Sequence, residues 1–87
     1  MSAPPIVADD APLALKTFAA HATHRATLWQ IGDSGLWEAV CGLRETAWRH
    51  RLAADHGRLE VEWIIGTAFG ELGVDYGDIR PLPEVYP

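Results

Sequence analysis

The stretch LWQIGDSGLWEAV, Leu28 to Val40, decides the fold. Leu28-Trp29-Gln30-Ile31 and Leu36-Trp37-Glu38-Ala39-Val40 can pair as strands around a Gly-Asp-Ser-Gly loop, or they can be the end of one helix and the start of the next. The apolar period chooses between them. At about 100° per residue, Leu15, Phe18, Ala19, Ala22, Ala26 and Trp29 fall on one side of a helix that enters the stretch from about Leu13. Leu36, Val40, Leu43, Ala47 and Ala54 form a second stripe on the way out. A hairpin would have to ignore both stripes, so the reading is helix, break, helix.

The ends follow from capping chemistry. Pro12 suits a first turn, and Gly32 ends the first helix. Asp33 or Ser34 can accept a bond from the N–H groups that open the second, with Glu38 placed to meet the positive end of its dipole. The second helix is expected from about Leu36 to His56, closed by Gly57 in a left-handed conformation. A third, from about Leu59 to Leu72, carries Val61, Ile64, Ile65, Ala68, Phe69 and Leu72 on one face and stops at Gly73. Gly66 and Gly70 lie on its other side with Leu59 and Trp63. Each glycine costs roughly 1 kcal/mol relative to alanine inside a helix, which implies close approach of another segment.

The expectation is therefore all-α: a compact three-helix domain over residues 11–73. A flexible N-terminal lead occupies residues 1–10. An extended Pro-rich C-terminal tail over 74–87, with Pro81, Pro83 and Pro87, packs on the helices.

Eighty-seven residues suit one domain with a modest core. With 48% hydrophobic residues and four tryptophans, the chain can bury enough apolar surface to fold without disulfide or metal, so a disordered reading fails. Twelve carboxylates against seven Lys and Arg give a net charge of -5, which opposes unaided binding to duplex nucleic acid or to an anionic membrane and favours a basic partner. Cys41 is the single cysteine, so no intramolecular disulfide or thiolate zinc cluster is expected, and a reducing, cytoplasmic setting fits. Met1 to Asp10 has neither the basic residues nor the apolar run of a targeting peptide, and no stretch approaches the ~20 apolar residues of a membrane span.

Gly32-Asp33-Ser34-Gly35 resembles the tetrapeptide around the nucleophilic serine of chymotrypsin-like proteases. The likeness covers four of 87 residues. Leu36 stands where a second glycine would be, and no aspartate lies between His21 or His24 and Asp33. A serine without a positioned base is a poor nucleophile. Ser34 is read as a helix cap, and the protein as no enzyme.

Four histidines raise metal binding and acid–base chemistry. His21 and His24 are three apart on the first helix, beside its core stripe, while His50 and His56 belong to the second. Zinc needs three or four converging ligands, and no HExxH spacing is present, so neither metal nor cofactor is expected. A small histidine enzyme, lost on replacing His21 or His24, remains a third functional class. The segment LAADHGRLEVEWII, Leu52 to Ile65, has the outline of a helix-turn-helix. Its second helix, however, opens with Glu60 and Glu62, which repel a duplex, and Arg58 follows the glycine where an apolar residue is usual.

The most informative feature lies on helix two. Trp37, Cys41, Arg44, Trp48 and Arg51 follow steps of four, three, four and three, one strip beside the core stripe. Interleaved Trp and Arg can stack, and both are enriched in binding hot spots. The competing reading is that the arginines lie over core tryptophans and cap the interior. The functional expectation is a small acidic protein–protein interaction module, an inhibitor or regulatory subunit, possible targets including a nucleic-acid-handling enzyme. Trp37, Arg44, Trp48 and Arg51 would make the contact, with Trp63 as neighbour. A basic protein surface or a second copy of the chain would be the partner. The alternative is a helix-turn-helix DNA-binding regulator.

Overall fold

The computed structural model describes residues 11–80, all of whose regular structure is helical. The lead over 1–10 and the prolines of the tail, residues 81–87, lie outside the described residues. Five helices follow in order: α1 Leu13–Gln30, α2 Leu36–Arg49, α3 Leu52–His56, α4 Arg58–Gly70 and α5 Tyr76–Ile79. The all-α expectation holds, with two further short helices where three long ones were expected.

The deciding stretch is helix, break, helix. Gly32 takes φ 86° and donates to the Trp29 carbonyl at 3.0 Å, while Asp33 N–H reaches the Leu28 carbonyl at 2.9 Å. That pair of bonds is a Schellman motif. It recurs at the end of α4, where Gly73, φ 91°, donates to Gly70 and Val74 to Phe69. Ser34 is a correction. The N-cap of α2 is Gly35, no side chain caps it, and the buried Ser34 hydroxyl oxygen has no hydrogen-bond partner.

The second helix is also corrected. It ends at Arg49, and Arg51 adopts the left-handed region, φ 58°, ψ 29°, donating to the Trp48 carbonyl at 3.1 Å. An arginine thus fills the place where glycine is favoured, at a steric cost of about 1–2 kcal/mol. The break swings Leu52 into the core at 6% exposure and leaves Ala54 exposed, against the expected stripe. Burying a leucine side chain contributes about 1.5–3 kcal/mol, enough to offset the strain.

The core joins Leu15, Phe18 and the alanines of α1 to Val40 and Leu43 of α2 and to Val61, Ile64, Ile65 and Phe69 of α4. α1 packs against both α2 and α4, and α3 bridges α2 and α4. Ala19, Ala22 and Ala26 line the inner face of α1, so its neighbours can approach closely. Trp29 packs on the rim of the core, tilted 47° to Phe69 with ring centroids 6.0 Å apart.

The segment after Gly73 is not extended throughout. Asp75 caps α5 by accepting from Gly77 N–H at 3.3 Å, and Ile79 is fully buried. Tyr76 of this short helix covers Gly66, where an added Cβ would sit 2.9 Å from the Tyr76 ring. Gly70 is different: it is exposed, and no atom of the described residues lies within 4 Å of that position, so none of them makes the close approach expected there. Gly66→Leu should therefore destabilise by roughly 1–3 kcal/mol through overpacking. Gly70→Ala should stabilise by up to about 1 kcal/mol through helix propensity. Urea melts of the two variants check both signs.

Candidate functional site

Three of the four tryptophans face solvent. Trp37 is 42% exposed, Trp48 79% and Trp63 55%, and Leu59, one turn before Trp63, is 86% exposed. The capped-core picture of the strip placed tryptophans inside and arginines over them. In the folded chain Trp37 and Trp48 are outside and Arg44 is drawn inward.

Arg44 is the hinge of the arrangement. Its Nε donates to Glu62 Oε2 at 3.0 Å and its Nη2 to Glu62 Oε1 at 2.8 Å, a two-point clasp from α2 to α4. The same Nη2 also donates to the Ile79 carbonyl of α5. Trp37 lies beside the guanidinium, 5.9 Å from its ring centroid, within cation–π range. Tyr76 completes the network, its hydroxyl donating to Glu62 Oε1 at 2.8 Å. One cation therefore ties three helices together.

The electrostatics follow. Burial raises the Glu62 carboxyl, but hydrogen bonds from Arg44 and Tyr76 and the charges of Arg44 and Arg58 outweigh it and leave the group below the ordinary carboxylate range. Burial and the bonded Glu62 carboxylate push the Tyr76 phenol upward. Both the carboxylate and the phenol stay in the forms that make the bond.

Around this clasp the surface divides. Leu59, Glu62, Trp63, Gly66 and Tyr76 line a shallow depression on α4 and α5. It is joined through Glu62 to Arg44 and Trp37. Trp48 and Arg51 line a second depression with Ala53 and Ala54 at the α2–α3 turn. The five sequence-derived residues thus do not form one straight strip. Arg51 lies beyond the end of α2, and Trp63 joins the α2 edge only by way of the clasp. Arg49, beside Trp48, pairs with Glu45 at 2.7 Å in an exposed i, i+4 bridge that contributes little to stability.

Glu62, Tyr76 and Leu59 escaped the sequence reading as site residues. A signal for Leu59 existed, since it sits four residues before Trp63 and off the Val61–Ile64–Ile65–Ala68 stripe. The Glu62 pairing, eighteen residues from Arg44, had no local signal. For the helix-turn-helix outline, the residues that the first two turns of α4 expose after Arg58 are Leu59, Glu60 and Trp63. These offer a duplex little beyond a carboxylate. No cluster of three or more His, Cys, Asp or Glu that could hold a metal ion occurs among the described residues. No helix there is long and apolar enough to cross a membrane.

Compared with protein-family profiles, with curated proteins and with solved structures, the chain shows no match.

Proposed function

We propose that the protein is a small acidic interaction module that acts by occupying a surface on a partner protein, as an inhibitor or regulatory subunit. The observation that carries this reading is the exposure of Trp37, Trp48, Trp63 and Leu59 on a chain this short. Fully burying a large apolar side chain contributes about 1.5–3 kcal/mol, and these side chains leave part of that contribution unused in the monomer, Trp48 and Leu59 most of it. Arg44 holds the flanks of the Trp37 and Trp63 surfaces rigid, so little ordering entropy is lost on docking. The net charge of -5 favours a basic partner surface, of which the nucleic-acid groove of an enzyme is one kind.

Trp48→Ala, Arg51→Ala and Trp63→Ala test the reading. Truncating Trp48 or Arg51 should weaken association by at least ~2 kcal/mol. Because Trp48 and Trp63 project into solvent, their alanine variants should melt within about 0.5 kcal/mol of the parent. Affinity capture followed by titration measures the first, and thermal melts the second. Sedimentation of the isolated chain across concentration separates a second copy from a different partner. The helix-turn-helix alternative requires duplex DNA binding that falls steeply with salt, and such binding with unaffected protein association would replace the present reading.

A further inference from the structure

The N-terminal half of α1, the end of α2 and the α2–α3 turn border an open groove of about 580 Å³, within the range of small-molecule sites. Its floor is apolar, formed by Phe18 at 3% exposure and Leu52 at 6%, with Leu13, 77% exposed, at its edge. His21 enters from α1 and His50 from the end of α2, one imidazole on each wall. Among the described residues no carboxylate lines the groove, although carboxylates outnumber Lys and Arg twelve to seven in the chain. From Leu13 to His21 the α1 wall runs about 12 Å at 1.5 Å per residue, the scale of a medium-length alkyl chain. An apolar trough whose described lining bears only imidazoles as ionisable groups complements an amphiphile with one anionic head.

We propose that this groove binds a free medium-chain carboxylate, its alkyl chain against Leu13, Phe18 and Leu52 and its head accepting hydrogen bonds from His21 and His50. The site is separate from the tryptophan surface, and the proposal does not depend on the protein-partner reading. The surrounding charges agree. Burial first, then the charges of Arg25 and His24, disfavour the protonated His21 ring. A bound anion relieves that penalty, so binding takes up protons and strengthens as pH falls. On the facing wall, the carboxylates nearest in sequence to the lining residues are Glu45, exposed and paired with Arg49, and Asp55 of α3, three residues after Leu52 and exposed.

The test uses the full chain, with decanoate as probe and decyltrimethylammonium and decanol as controls of equal chain length, followed by calorimetry and by the histidine ring resonances. Decanoate should saturate, move the His21 and His50 resonances, and bind more tightly at about pH 6 than at about pH 7.5, while decanol shows no such pH dependence. The double variant His21→Gln, His50→Gln should lose about tenfold in decanoate affinity. Thr17→Phe, at an exposed lining position, should fill the groove and abolish binding with both imidazoles intact, so the proposal stays testable if the double variant unfolds. Equal binding of the cationic control, unmoved histidine resonances, or unchanged affinity in a folded Thr17→Phe would overturn it. Binding to phosphatidylglycerol vesicles without binding to monomeric decanoate would overturn it too, in favour of a membrane surface.

Discussion

Phe69→Ala should cost about 3–5 kcal/mol and leave the protein largely unfolded at physiological temperature. Phe69 is fully buried in the last turn of α4, next to the buried Ile65 and Ala68 of the same apolar face. Its ring meets the indole of Trp29 from α1, a tilted aromatic contact of the kind that adds about 0.5–1.5 kcal/mol beyond area burial. Truncation removes that contact and opens a cavity that three helices would have to collapse together to fill. A domain of this size has a total stability of roughly 5–10 kcal/mol at most, so the loss is a large fraction of it. Trp63→Ala on the same helix is the control, since it deletes a larger side chain from solvent and should change stability by under about 0.5 kcal/mol. Urea midpoints followed by far-ultraviolet circular dichroism distinguish the two. A small loss at Phe69 would mean that α1 and α4 are not packed as described.

The contrast between Phe69 and Trp63 marks what periodicity can read. On α1 and α4 the stripes are long and unbroken, and each residue assigned to them is buried or packed on the core, including Trp29 and Leu72. Gly32, Gly57 and Gly73 punctuated the chain correctly because glycine is the residue that takes a positive φ without strain. The break at Arg51 was hidden for the same reason. An arginine carries no mark of the left-handed region, and only the tertiary gain from burying Leu52 makes that conformation tolerable. The short helix α5 was hidden by the prolines that follow it. Its anchors, Ile79 in the core and Tyr76 over Gly66, are contacts across sequence that no local pattern contains.

The strip on α2 shows the same limit at the level of the site. Spacing placed Trp37, Cys41, Arg44 and Trp48 on one helix edge, beside the buried Val40, Leu43 and Ala47. Whether an edge residue turns in or out depends on what the neighbouring helix offers it. Glu62 offers Arg44 a carboxylate with two accepting oxygens, so Arg44 turns in. Among the described residues no comparable partner draws Trp37 and Trp48 in, and they form the exposed surface on which the proposed function rests.

Arg44→Met should destabilise the protein by about 2–4 kcal/mol, somewhat below the ~3–5 kcal/mol for breaking a fully buried pair, because the two side chains retain 18% and 13% exposure. The variant leaves the largely enclosed Glu62 carboxylate with, among the described residues, only Tyr76 still bonded to it, and it removes the donor to the Ile79 carbonyl that fastens α5. Glu62→Gln should cost less than Arg44→Met, since the amide oxygen can still accept from both donors. The double variant should cost less than the sum of the single ones, which identifies the clasp as one coupled unit. The pH dependence gives an independent signature. The Glu62 carboxyl is held below its ordinary range in the folded state, so its contribution is fully present above the unfolded-state value and is lost as pH falls through the lowered folded value. The parent should therefore lose stability on acidification over that window, and Arg44→Met should lose much less. If the slopes of stability against pH match in parent and variant, Arg44 is not what holds Glu62 ionised, and the rigidity ascribed to the flanks of the tryptophan surface needs another cause.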